Sequence, residues 1–203
     1  MKIYLVRHGE TEWNKEGKLQ GQSDIPLNEY GRELAQITAE GLRDIPFDAV
    51  YCSPLIRAKE TAEIIKGDRK IPIYFDQRIK EISFGVEEGA NLQEIKKNEK
   101  DPLYNFIHHT EKYIPPEKGE SFKELYKRSA EFMKEVLIPA QKKYETLLLV
   151  AHGALNRSIL NQIAGIPIDR FWEIQLKNCC VSVLSLQEEQ FKILEKGKLF
   201  YEG

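Results

Sequence analysis

The chain has 203 residues, 41% of them apolar, and a formal net charge of -2. That is enough apolar material for one domain with a substantial core, without the basic excess that nucleic acid or an anionic membrane favours. No run approaches the roughly 18 uninterrupted apolar residues of a membrane helix, and Lys2 is followed by only four apolar residues before Arg7, too few for the apolar region of a signal peptide.

Residues 2–6 read as a first strand, a continuous apolar run that delivers Arg7, His8 and Gly9 at its end. Asn28 stands where a helix cap is expected, ahead of Leu34, Ile37, Thr38, Gly41 and Leu42 at helical spacing. Residues 47–52 read as a second strand ending at Ser53-Pro54, with a helix over 55–65. Residues 71–75 read as a third strand, which Pro72 confines to a sheet edge or an irregular start. From about 79 to 144 the sequence is charged, helical in pattern and poor in strands. Within it, 113–119 is a loop stiffened by Pro115 and Pro116. Ser121 and Glu124 then fit a capping box before Phe122, Leu125, Ser129, Phe132 and Val136 at helical spacing. The apolar run 146–151 suits a central parallel strand covered on both faces. A helix over 154–164 stops at Gly165 and Pro167. Residues 181–186 and 191–194 read as a closing hairpin on the sheet edge. The expected fold is α/β: a mostly parallel sheet flanked by helices on both faces, forming a single domain over 1–203, with a helical insertion at roughly 79–144 capping the site. Cys52, Cys179 and Cys180 make no disulfide framework and are expected to be reduced, as in a cytoplasmic protein.

Two strand ends share one pattern: Val6 leads to Arg7-His8-Gly9, and Val150-Ala151 leads to His152-Gly153. In a parallel sheet the carboxyl ends of the strands lie on one edge, where ligands bind. His8 and His152 are therefore expected to meet, with Arg57 joining them from the first helical turn after Ser53. Each piece alone is ordinarily a solvated strand tip; together they suit a phosphoryl group. Arginine pairs phosphate oxygens two at a time. Glycine after each histidine lets backbone N–H groups approach an anion, and histidine can itself attack phosphorus. No metal-ligand cluster stands out, and His108-His109 reads as a solvated pair.

The run Leu5-Val-Arg-His-Gly-Glu-Thr-Glu-Trp-Asn14 resembles the signature of the histidine phosphatase superfamily, in its phosphoglycerate mutase-like branch. The same resemblance extends through Gln20-Gly21, Asp24-x-Pro-Leu27, Ser53-Pro-Leu-Ile-Arg57 with Thr61, Glu81-Ile-Ser-Phe-Gly85, Gly119-Glu-Ser121 and Ala151-His152-Gly153. These motifs keep the family's order over nearly the whole chain. The resemblance implies that His8 is the nucleophile and that Arg7, Arg57 and His152 bind the phosphoryl oxygens. Asn14, Gln20, Gly21 and Gly153 would line the pocket. Glu81 would give a proton to the leaving alcohol and then activate water; Glu87 and Glu88 are its competitors. No metal or cofactor is implied.

The family commonly carries Trp-Glu-Gly after the acid segment, whereas this chain has Glu87-Glu88-Gly89. The mutases of the branch have a longer insertion with paired arginines, and the middle of this chain has no Arg-Arg pair. Water is then the expected phosphate acceptor. The segment from Thr61 through Asp76 is similar to the broad-specificity bacterial phosphatases of the family. Those relatives imply substrates such as α-ribazole phosphate, phosphoserine or sugar phosphates. Phe106, Tyr104 and Tyr113 hint at a pocket that tolerates an apolar leaving group, or else simply pack the cap. The partner expected is a small-molecule phosphate ester, with the chain as monomer or homodimer, no nucleic acid and no membrane. A cofactor-dependent phosphoglycerate mutase and a non-catalytic phospholigand-binding protein remain as alternatives.

Overall fold

In the computed structural model, which describes residues 1–202, the apolar runs pair into one six-stranded sheet. The strands are β1 (Lys2–Arg7), β2 (Ala49–Cys52), β3 (Ile73–Phe75), β4 (Thr146–Ala151), β5 (Val181–Gln187) and β6 (Gln190–Lys198), in the order β3-β2-β4-β1-β5-β6. β1 to β4 run parallel, β5 runs antiparallel against β1, and β6 closes the edge against β5.

The helices are α1 (Glu12–Lys15), α2 (Glu29–Gly41), α3 (Ile56–Lys66), α4 (Leu92–Lys97), α5 (Tyr104–His108), α6 (Phe122–Phe132), α7 (Ile138–Ala140) and α8 (Gly153–Ala164). β4 shows why its sequence is apolar at every position. Leu147, Leu149 and Ala151 share a core with Phe122, Leu125 and Phe132 of α6 and with Leu155 and Ile159 of α8. Leu148 and Val150, pointing the other way, share a core with Ala58, Ala62 and Ile65 of α3. A strand covered on both faces has no solvated side for alternate polar residues. Three parallel strands, β1, β2 and β4, thus carry their C-terminal ends to one edge of a rigid layer.

The helix caps follow the sequence. Asn28 accepts a hydrogen bond from Gly31 N at 2.7 Å, and Ser121 with Glu124 forms the expected box. β2 starts at Ala49 rather than residue 47, because Phe47 turns back to bond Ile45 O and Asp48 is spent on the amides of Glu145 and Thr146. β3 starts after Pro72, on the outer edge. α6 runs on through a wide π turn (Met133–Leu137) into α7, where Pro139 lacks the N–H that regular helical bonding requires. β6 is longer than the expected 191–194. Its charged, half-exposed sequence suits an edge strand better than its apolar content indicated. All three cysteines are free and buried, and no helix among the described residues is long and apolar enough to cross a membrane.

Candidate active site

The carboxyl edge of the sheet opens into a cavity of about 470 Å³. Arg7, His8, Asn14, Gln20, Gly21, Arg57, Glu81 and Gly153 all line it. His152 completes the set from beneath: it is fully buried, and its ring centroid lies 5.2 Å from that of His8. The nine residues assigned to catalysis or phosphate binding in the sequence therefore come to one place, although four separate segments supply them.

His8 is held by its own backbone. Its Nδ1 lies 2.7 Å from Gly9 O. A carbonyl only accepts, so Nδ1 carries the hydrogen and Nε2 keeps the lone pair. Arg57 agrees with this assignment, since its Nε donates to His8 Nε2 at 3.3 Å. Arg57 itself is buried among carbonyls, donating through Nη1 to Ser23 O at 2.8 Å and through Nη2 to Gly21 O at 2.7 Å. Gly21, at φ +54°, is in the left-handed conformation that turns its carbonyl toward this guanidinium.

Gly9 has a different reason from the one its sequence position suggests. Its N–H is already taken by Thr61 Oγ1 at 2.9 Å and is not free for an anion. A Cβ at Gly9 would stand 2.5 Å from Gly31 O, and one at Gly31 would stand 2.0 Å from Glu10 O. The paired glycines let the first turn of α2 cross the chain directly after His8. Beyond His8, Asn178 donates to His8 O at 3.0 Å and to Asn14 Oδ1 at 3.3 Å. Cys179, at φ +54°, donates its N–H to Arg7 O at 3.0 Å. A strained residue beside the end of β1 is a feature of functional sites. Asn14 Oδ1 also caps α1 through Thr11, so only its amide nitrogen is left for a ligand.

His152 is bound through Nε2 to Ser53 Oγ at 2.7 Å, whereas its buried Nδ1 has no partner. A buried polar atom without a partner is one that a ligand group or a water can satisfy. Both imidazoles are held well below their usual pKa, first by burial and then by Arg57 with Arg7 and other neighbours, so both are neutral near pH 7. Burial also lowers Arg57 to about 10.

Glu81 faces the cavity from the N-terminus of α8. Its carboxylate accepts from the amides of Ile82, Leu155 and Ala154 at 3.0, 3.1 and 3.1 Å. Its own carbonyl accepts from Arg128 Nη2 at 3.0 Å and from Gln22 at 3.2 Å. Arg128 also binds the carbonyls of Arg78 and Lys80 and pairs with Glu120 at 2.6 Å, so one side chain of α6 buckles the whole segment down. Of the two competing acids, Glu88 is committed elsewhere: it accepts from Gln22 N at 2.8 Å and from Ser23 Oγ, clamping the loop that serves Arg57. Glu87 sits in a short 3₁₀ turn and does not line the cavity, and the Trp13 ring lies against Gly89.

The outer wall carries the apolar side chains Leu19, Phe84, Leu92, Phe106, Ile107 and Trp172, with Lys18, Lys96 and Gln175 among them. Of the three aromatics noted in the sequence, only Phe106 reaches the cavity. Tyr113 is buried in the core, and Tyr104 stacks on His108 at 4.3 Å. Ser53, Arg128, Asn178, Trp172 and Arg157 escaped the sequence reading. Of these, Ser53 and Arg157 fall inside or beside matching motifs, where their positions were the available signal. Among the described residues no group of three or more His, Cys, Asp or Glu could hold a metal ion.

Fold and cleft define an α/β protein with two histidines and three arginines gathered at the carboxyl edge of its sheet. The chain belongs to the histidine phosphatase superfamily (branch 1), whose family model matches residues 3–198. It is 36% identical to the uncharacterized phosphatase PhoE of Bacillus subtilis, over 94% of this chain and 91% of that one. It is 34% identical to the probable phosphoglycerate mutase GpmB of Salmonella arizonae, over 94% and 87%. The structure is similar to that of the α-ribazole phosphatase from Shigella flexneri, with a TM-score of 0.86 at 26% identity, covering 98% of this chain and 96% of that one.

Proposed function

We propose that this chain is a phosphomonoesterase that hydrolyses small phosphate monoesters through a phosphohistidine at His8, without a metal ion. The observation that carries the reading is the fixed tautomer of His8. With Nδ1–H given to Gly9 O, the Nε2 lone pair faces a cavity flanked by guanidinium groups. Its depressed pKa keeps that lone pair free of a proton at neutral pH.

Phosphoryl transfer needs positioning and charge stabilisation above all. Arg7, Arg57 and His152 hold the phosphoryl oxygens, and Asn14, Gln20, Gly21 and Gly153 form the surrounding pocket. As Nε2 attacks phosphorus, the Arg57 N–H that rested on that lone pair is released to a phosphoryl oxygen. The phosphorus–ester oxygen bond breaks, and Glu81, entering this step as the carboxylic acid, passes its proton to the departing alcohol. Glu81, now a carboxylate, takes a proton from water as its oxygen attacks phosphorus. The phosphorus–nitrogen bond breaks, and inorganic phosphate leaves with His8 restored. The expected setting is cytoplasmic, with the chain acting as a monomer or homodimer.

The test is incubation with p-nitrophenyl phosphate and with 3-phosphoglycerate, each with and without EDTA and 2,3-bisphosphoglycerate. Phosphate release that survives EDTA, lost by about 10³-fold or more in His8→Ala together with acid-labile phosphate on the protein, is the expected result. Turnover near wild type in His8→Ala would overturn the mechanism. The likeness to GpmB favours a second reading, in which the phosphohistidine returns its phosphate to a hydroxy acid. Isomerisation primed by 2,3-bisphosphoglycerate, without net phosphate release, would establish that reading instead.

A further inference from the structure

Three cations that line the cavity, Lys18, Lys96 and Arg157, are not assigned to the transferred phosphoryl group, and of these only Arg157 is buried. Arg157, in the second turn of α8, lines the cavity and is only 9% exposed. Its Nε donates to Ile174 O at 2.8 Å and its Nη1 to Gly153 O at 3.0 Å, so both bonds go to neutral carbonyls. The guanidinium lies over the Trp172 ring, 5.0 Å from its centroid, and Trp172 is itself pinned by its indole N–H to Phe106 O at 2.8 Å. The carboxylate whose charge acts on Arg157 is Glu81, which already serves three backbone amides. A buried guanidinium without a carboxylate of its own is costly unless an anion joins it. This one is also preorganised, with its stem, plane and two of its donors fixed.

Its place decides which anion. A Cβ built on Gly153 would stand 3.4 Å from Arg157 Nη1, 3.5 Å from Arg7 Nε and 3.5 Å from Glu81 Oε2. Arg157 and Glu81 therefore flank one point at the head of α8. On the reading above, on which this inference rests, Glu81 marks where the ester oxygen departs. A group that meets Arg157 thus belongs to the leaving alcohol and not to the transferred phosphoryl group.

We propose that Arg157 is a specificity-determining residue that binds a second anionic group, carboxylate or phosphate, carried by the leaving alcohol close to its ester oxygen. The preferred substrates are then phosphomonoesters with two anionic groups, whose carbon skeleton lies along the apolar wall.

The test compares 3-phosphoglycerate with glycerol 3-phosphate, which replaces the carboxylate by an uncharged hydroxymethyl group, and with glycerol 1,3-bisphosphate. In the wild type, kcat/KM for at least one dianionic partner should exceed that for glycerol 3-phosphate by about 10- to 100-fold. Which of the two gains identifies carboxylate or phosphate. In Arg157→Met that ratio should fall toward one, and Arg157→Lys should restore part of it. An equal loss on all substrates would make Arg157 a structural strut and overturn the proposal, as would a wild-type ratio near one. Binding in a His8→Ala background, measured by calorimetry with and without Arg157→Met, separates this inference from the hydrolase reading. Selective binding of the dianionic ligand through Arg157, in a protein whose wild type releases no phosphate, would sink the hydrolase and leave the subsite standing.

Discussion

A hydroxyl of Ser53 decides which nitrogen of His152 can serve a phosphoryl group. Nδ1 is the buried atom without a partner, and to donate to an anion it must carry the hydrogen while the ring is neutral. Nε2 is then the acceptor, and Ser53 Oγ is the donor at 2.7 Å. Ser53→Ala removes the group that enforces this tautomer. A loss of about 10- to 100-fold in kcat/KM is expected, as for other partners that orient an active imidazole, with Ser53→Thr restoring most of it. Nitrogen chemical shifts of His152 report the tautomer directly; a spectrum unchanged in Ser53→Ala would refute the assignment. The two histidines and two arginines were legible as residues because strand-end patterns and matching motifs name them. Ser53 was read as the end of a strand and the head of the Arg57 motif but given no role, since a serine's partner across the sheet is invisible until β2 and β4 are seen side by side.

At the scale of elements, the site depends on close approaches that small or long side chains permit. The crossing of α2 over the end of β1 leaves no room for a Cβ at Gly31, which would meet backbone at 2.0 Å. Gly31→Ala forces the helix away from residues 9 and 10. It should destabilise the fold by about 1–3 kcal/mol, the usual range for overpacking, measured by urea denaturation. It should also lower kcat by displacing His8. A stability within experimental error of wild type would mean that α2 can shift freely. Arg128 illustrates the opposite device, a long side chain reaching from α6 to three carbonyls of the Glu81 segment. Arg128→Met keeps the stem and removes those bonds together with the Glu120 pair. On the proposed role of Glu81, the expected result is a kcat drop of about 10-fold or more with KM changed less, because a proton donor displaced by even about 1 Å loses rate steeply. A purely structural strut would instead lower stability at constant kcat. Helices α2, α3, α6 and α8 were readable from periodicity, α2 and α6 also from their caps, whereas the short α1, α4 and α5 were not. The segment holding Glu81 was not, since its shape is set by side chains distant in sequence.

For the whole molecule, burying two neutral imidazoles links stability to pH. Both folded pKa values lie well below the usual value of 6.5, so between those values and about 6.5 the unfolded chain binds the extra protons. Their contribution is complete above about pH 6.5 and is lost as the pH falls below it, at about 1.4 kcal/mol per pH unit for each histidine. Denaturation at a series of pH values should show this limb. His8→Asn, which cannot take the proton, should remove about half of the slope; an unaltered slope would assign it to other groups. Orthovanadate bound at the same site should raise stability by about 2.7 kcal/mol at a hundred times its Kd.

The sequence by itself determined the α/β class, the parallel centre of the sheet and which residues gather at its carboxyl edge. Apolar periodicity, caps and strand-end motifs are local, and each is written in consecutive residues. Only the tertiary structure decided that Gly9 serves a helix crossing rather than an anion, that Glu88 clamps a loop, and that Arg157 stands unpaired beside Glu81. Those facts concern which atoms share a space and which charges find no partner. They arise when β1, β2 and β4 bring distant segments to one edge, and no stretch of consecutive residues contains them.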